Sequence, residues 1–148
     1  KNFFRVTSSG SSKDLETAKK KAIMNAKSEL SGNIRSTVKA VTDQYTNSTT
    51  VEDNEQFENK FEELARTVVK EILSDLVVKE EKLFREKDKK TGKDNYLVWV
   101  VIEMSRQSVF DDMNNKISKD QKLQLDYDKM KYEKIFNSEM EKLAEENN

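Results

Sequence analysis

Adjacent carboxylates occur at Glu62/Glu63, Glu80/Glu81 and Asp111/Asp112, and they are the nearest this chain comes to a catalytic motif. General acid–base chemistry by a pair requires both carboxyl groups to converge on one substrate. Neighbours on a helix diverge by about 100°, and neighbours on a strand point to opposite faces. None of the pairs converges locally, so all six side chains are expected on solvated surfaces. The chain has no His and no Cys, which excludes Ser-His-Asp and Cys-His nucleophile systems, thiolate or imidazole metal sites and disulfides. Gly10, Gly32 and Gly92 stand too far apart to form a phosphate-cradling loop. No catalytic, cofactor-binding or metal-ligating residue is expected, and the chain reads as non-enzymatic.

A different kind of candidate lies in the apolar run Tyr96–Met104. Glu103 is its only charge and shares an alternation face with Leu97, Trp99 and Val101. A charge on a covered face is costly unless paired, so Glu103 is expected at the strand end, near solvent or beside a Lys. Trp99 is expected in the core; left uncovered, it would anchor an interface, as Trp commonly does. Trp99, Leu97, Val101 and Glu103 are therefore the candidate interface residues. The segment Lys87–Asp94 carries Lys87, Lys89, Lys90 and Lys93, but Asp88 and Asp94 offset them, so it reads as a solvated turn. Asn47-Ser48-Thr49 has the spacing of a glycosylation sequon and reads as a flexible loop.

The elements that position these residues follow from periodicity. Asn2–Ser8 reads as a strand, and Ser8–Ser12 as a turn and helix N-cap. A first helix carries Leu15, Ala18, Ala22, Ala26, Leu30, Ile34, Val38, Val41 and Tyr45 at steps of three or four, a one-face stripe. Its alanines allow close approach to another element. Residues 46–56 read as a polar loop. A second helix, with Phe57, Phe61, Leu64, Ala65, Val68, Val69, Ile72, Leu73 and Leu76, has a broader stripe and is expected to be the more buried. The two should form a helical hairpin.

From Val77 the pattern switches to a β-hairpin around Gly92. Its first strand mixes charge into both faces, the signature of an edge. Its second is apolar on both faces, the signature of a central strand. The helices can cover one face of the sheet; the other is left to the C-terminal segment or to a second molecule. That segment begins with Val109, Phe110, Met113 and Ile117, loses phase across Ser118–Lys122, and resumes with Leu125, Tyr132, Ile135, Phe136, Met140 and Leu143. It reads as a long, kinked helix whose last half is too polar for deep burial.

The expected fold is α+β: a three-stranded antiparallel sheet packed by a two-helix hairpin, in β-α-α-β-β-α order, with a long C-terminal helix. Residues 1–117 would form the α+β domain and residues 118–148 a helical extension. Charged residues make up 37% of the 148, yet 27 Lys+Arg against 28 Asp+Glu leave a net charge of -1. Leu, Ile, Val and Phe together are about 24% of the chain, above the ~20% below which disorder is expected. Balanced charge argues against a nucleic-acid partner, which requires a basic face. No apolar run reaches the ~20 residues of a transmembrane helix.

The stretch VTSSGSSKDLETAKKKAIMNAKSEL, with Ala18, Ala22 and Ala26 beside Asn25, resembles the Lpp-twenty family of bacterial cell-envelope lipoproteins. Phe61, Leu64, Ala65 and the YLVWVVIEM strand fit that family's later helix and hairpin. The small N-terminal domain of a flagellar-basal-body outer-membrane protein has a similar plan. The resemblance spans roughly residues 3–117. It implies a non-enzymatic domain on the periplasmic side of a bacterial cell envelope, outer-membrane anchored through an acylated Cys, and acting through protein or surface contacts. The chain opens at Lys1 and contains no Cys, so that anchor is expected upstream; membrane contact would come only through it. A protein partner or self-association is expected, with no cofactor. The alternative is a cytoplasmic interaction module that oligomerises through its long C-terminal helix.

Overall fold

The computed structural model describes residues 3–49, 51–74 and 76–146; Asn2 and the side chains of Leu125 and Leu143 lie outside the described residues. The element order is β1 (Phe3–Ser12), α1 (Leu15–Ser48), α2 (Asn54–Ser74), β2 (Glu80–Lys87), β3 (Asp94–Ser105), α3 (Arg106–Ile117), α4 (Gln121–Asp126) and α5 (Lys129–Glu146). The fold is α+β. Its antiparallel sheet has the order β1-β3-β2, so the doubly apolar strand is central and the charge-mixed strand is an edge.

β1 runs further than its β-branched residues predict. Ser8, Ser9, Gly10, Ser11 and Ser12 continue the ladder, opposite Val100, Trp99, Val98, Leu97 and Tyr96. Pairing with a long central strand outweighs the turn propensity of a Ser/Gly run. The N-cap of α1 is instead Asp14, whose carboxylate accepts from the Thr17 amide at 2.9 Å and the Thr17 hydroxyl at 2.6 Å. Those bonds, the hydroxyl's first, hold the Asp14 carboxyl below its usual pKa range.

α1 organises the whole molecule. Its 34 residues span about 51 Å at 1.5 Å each, whereas the 10 residues of β1 span about 33 Å. The N-terminal part of α1 lies across β1 and β3, and the remainder overhangs the sheet, where α2 and α5 pack on it. Ala18, Ala22, Ala26, Leu30, Ile34, Val38, Val41 and Tyr45 are all buried. Expected to be less buried than α2, α1 is in fact the more enclosed helix, with eleven buried residues against five. Position decides this: α1 has the sheet, α2 and α5 as neighbours, so even Thr37, Thr42 and Thr46 lie inside.

The sheet-facing interface is unusually close. Gly10 sits beneath α1 with no room for a Cβ, which would lie 2.5 Å from the Ala22 nitrogen and 2.7 Å from the Ala18 oxygen. Asn25 and Lys21 donate to the carbonyls of Ser9 and Ser11 at 2.9 and 3.2 Å. The alanine stripe and Gly10 are thus two halves of one contact, and the helix backbone rests almost on the strand backbone.

The C-terminal segment departs from its expected form. It divides into helices of 12, 6 and 18 residues, and its last half is deeply buried: Tyr132, Phe136 and Met140 are at most 5% exposed. Leu123, Tyr132, Phe136 and Met140 join the same core cluster as Ala22 and Val98. The reason is aromatic packing around the overhanging end of α1. Tyr45 stacks on Phe57 with centroids 5.5 Å apart, Phe61 lies 5.0 Å from Tyr132, and Phe110 lies 5.7 Å from Phe136; such pairs add about 0.5–1.5 kcal/mol each beyond area burial. The Tyr45 hydroxyl donates to the Asp126 carbonyl at 2.5 Å and accepts from the Asp128 amide at 2.8 Å, tying the α4–α5 turn to α1. Thr42 spends its hydroxyl proton on the Val38 carbonyl at 2.7 Å. Tyr132, 3.0 Å away, is therefore the donor between the two hydroxyls.

Candidate functional site

Antiparallel pairing puts directly opposed residues on one face of the sheet. Phe4, Val6, Val98, Val100, Ile102 and Met104 are buried under the helices. The opposite face carries Leu97, Trp99, Val101 and Glu103 from β3, and the expected interface residues are thereby together on one surface. Trp99 stands between Ser9 and Lys82, Leu97 between Ser11 and Phe84, and Val101 between Thr7 and Glu80; Arg5 flanks Glu103. Trp99 is 40% exposed and Phe84 48%, so Trp99 is not the core residue that its type predicts. The C-terminal segment, one of the two expected covers for this face, packs on the helices instead. Its apolar stripe is consumed by the overhang of α1, and the sheet's outer face stays open.

Glu103 is satisfied by position. Its carboxylate lies 3.0 Å from Lys79 Nζ and 3.8 Å from Arg5 Nε, with its side chain 17% exposed. The expected neighbouring cation is present from both sides, one from β1 and one from the approach to β2. These partners rim the lower end of the apolar strip formed by Leu97, Trp99 and Val101.

The carboxylate pairs do not converge. Glu62 lies 3.2 Å from Arg66 and 3.9 Å from Arg35, Glu81 lies 3.5 Å from Lys19, and Asp111 accepts from Gln107 at 2.9 Å. The hairpin tip is a self-contained turn. Gly92 adopts φ 68°, its amide donates to the Asp88 carbonyl at 2.8 Å, and the Asp88 carboxylate accepts from the Lys90 amide at 2.8 Å. The left-handed backbone there is what glycine tolerates without cost. Asn47 and Ser48 end α1 as its last turn, so the expected loop begins later, at Thr49.

Concavities lie elsewhere among the described residues, two of them beside charged clusters. One, of about 380 Å³, sits in the α1–α2 groove and is lined by Arg35, Lys39, Asp43, Glu58 and Glu62 among others. The other, of about 520 Å³, lies between the start of α2 and α4, beside Glu52, Asp53, Lys60 and Asp126. Both mix the two signs of charge: Arg35 lies 3.9 Å from Glu62 in the first, and Lys60 beside the second lies 3.2 Å from Asp120. Among the described residues no cluster of acidic groups has the arrangement of a metal site, and no helix is long and apolar enough to cross a membrane.

The residues that sequence reasoning missed are Arg5, Lys79, Lys82 and Phe84. Alternation within β2 places Lys82 and Phe84 on one face, and counting outward from the tip would have aligned them with Trp99 and Leu97. No such signal existed for Arg5, whose register depends on a strand more than ninety positions away. The geometry thus defines an α+β domain with one face of its sheet packed and the other open. No protein-family model, curated protein or solved structure matches this chain.

Proposed function

We propose that this chain is a non-enzymatic domain of a bacterial cell-envelope lipoprotein, acting through protein or surface contacts. The observation that carries the contact role is the open outer face of the sheet, where Trp99 at 40% exposure stands in a strip with Leu97, Val101 and Phe84. An exposed Trp within an apolar strip and a charged rim has the composition of a contact surface. The carboxylate of Glu103 on that face is held between two cations, a structural pairing.

The cell address rests on the resemblance to Lpp-twenty lipoproteins. The tight seat of Ala18 and Ala22 over Gly10 of β1 gives a physical reason for the Gly and alanine-spaced helix on which the resemblance rests. Burial of Tyr132, Phe136 and Met140 in the chain's own core speaks against oligomerisation through the C-terminal helix.

Reading the gene upstream of Lys1 and fractionating labelled cells tests the proposal. A lipobox Cys after a signal peptide, with fatty-acid label in the envelope fraction, is the expected result. An initiator Met directly before Lys1, with the protein in the cytosol, would overturn it.

A further inference from the structure

We propose that β2 pairs with the β2 of a second copy of this chain, antiparallel about a two-fold axis, with Phe84 opposite Phe84. This assignment is independent of the envelope reading and concerns the sheet edge rather than the Trp99 face.

The two edges of the sheet are not equivalent. On β1, α1 side chains already occupy backbone carbonyls, Asn25 at Ser9 and Lys21 at Ser11. On β2 all eight residues are exposed, including Leu83 at 49% and Phe84 at 48%. Leu83 lies on the helix-facing side opposite Val98, yet it remains open because α1 sits over β1 and β3. An edge with both faces bare and its backbone groups unpaired is a template for another strand.

The charges on β2 select which strand. An edge strand turns the N–H and C=O of only every second residue outward. Two copies of one edge, related by a two-fold axis, can therefore pair only residues of equal parity. Within that restriction one register sets the most opposite charges against each other without opposing like charges inside the strand. Centred on Phe84, it sets Lys82 against Glu86 and Glu81 against Lys87, each twice by symmetry, with Leu83 beside the Arg85 stem. Centring on Leu83 sets Glu81 against Arg85 but also Glu80 against Glu86, so attraction and repulsion offset, and centring on Arg85 opposes two guanidinium groups. Opposed charges across a strand pair stabilise and like charges destabilise.

Among the described residues no ion pair within the chain engages Lys82, Arg85, Glu86 or Lys87, whereas Glu81 is shared with Lys19. The alternating charges of EEKLFREK thus do two things. They discourage pairing with strands that lack a matching charge pattern, and they fit their own copy best in the Phe84-centred register. The contact is isologous and closes on itself, so it makes a dimer and not a fibre. The two three-stranded sheets become one continuous sheet whose outer face joins Leu97 and Phe84 of both copies in a row.

The test uses the full chain in sedimentation equilibrium, with circular dichroism as the check of folding. The expected result is a concentration-dependent dimer. Lys82→Glu alone and Glu86→Lys alone should each weaken it about tenfold or more, since each change puts like charges opposite one another twice. The double variant, carrying both changes, should restore it. The chain has no native Cys, so Phe84→Cys should form a disulfide-linked dimer under mild oxidation, while Thr91→Cys at the hairpin tip should not. A wild-type chain that stays monomeric up to about 1 mM would overturn the proposal. So would a dimer indifferent to the Lys82 and Glu86 variants, or a folded double variant that fails to recover.

Discussion

Replacing Gly10 by Ala would place a methyl carbon 2.5 Å from the Ala22 amide nitrogen, 2.6 Å from Lys21 Cβ and 2.7 Å from the Ala18 carbonyl oxygen. Two of those atoms are helix backbone and cannot rotate away. Ordinary contact begins at 3.4 Å, so α1 and β1 must part by about 0.9 Å at this point. A radial gap of that size forfeits about a quarter to a half of the dispersion energy of each contact it opens, here along the Ala18–Ala22–Ala26 seam. Overpacking a filled core costs about 1–3 kcal/mol, and a clash against rigid backbone belongs at the upper end. We therefore expect a loss of about 3 kcal/mol from a total stability of order 5–15 kcal/mol. In urea, with an m-value of about 2 kcal/mol/M, the midpoint should fall by about 1.5 M at unchanged m. Gly32→Ala is the internal control: nothing lies within 4 Å of its added Cβ, and the helix interior gains about 1 kcal/mol. The midpoint should then rise by about 0.5 M. Opposite signs for one chemical change at two sites are the signature of the close approach. A Gly10→Ala protein as stable as its parent would refute the reasoning.

Three further outcomes follow from the geometry. Glu103→Gln removes the charge between Lys79 and Arg5 and should cost about 1 kcal/mol at low salt, shrinking as salt screens the exposed cations; equal losses in low and high salt would contradict this. Burial, the leading cause for each, holds the hydroxyls of Tyr45, Tyr127 and Tyr132 above the ordinary tyrosine pKa. Their folded pKa values exceed the unfolded one, so this contribution is complete below about pH 10 and is lost as pH rises beyond it. Denaturation midpoints should drop there, and the drop should be shallower in Tyr132→Phe, which at neutral pH costs about 1 kcal/mol through the lost bond to Thr42. Truncation at Ser118 removes Tyr132, Phe136 and Met140 from α1; the remainder should lose its cooperative unfolding transition, and a sharp transition in the fragment would show that the aromatic cluster is dispensable.

Much of the fold was legible because local patterns carried it. The Ala18–Tyr45 stripe has helical spacing, the 96–104 run alternates with both faces apolar, and EEKLFREK shows the mixed charge of an edge. The errors share one cause. Ser8–Ser12 has the propensity of a turn, but β3 offers it a ladder. The α2 stripe is wider, but α1 lies between more neighbours. The C-terminal stripe is sparse and out of phase, yet Tyr132 and Phe136 are large enough to bury it around Tyr45. In each case packing between distant segments overrode a correct local tendency.

The candidate site divides in the same way. Alternation alone put Leu97, Trp99, Val101 and Glu103 on a single face, and the need to pair a charge there was evident from the cost of leaving it bare. The residue types themselves removed imidazole and thiol chemistry. Whether that face would be covered depended on where the C-terminal helices went, and that was a competition between two apolar surfaces. The overhanging end of α1, with Tyr45 beside Phe57 and Phe61 of α2, offered a cluster of aromatic partners; the outer sheet face offered the strip Leu97, Trp99, Val101 and Phe84 interleaved with Thr7, Ser9 and Lys82. The C-terminal helices pack on α1, where Tyr132 meets Tyr45 and Phe61, and Phe136 meets Phe110. Tertiary structure thus left Trp99 exposed and the β2 edge bare, although both elements were already written in the order of the residues.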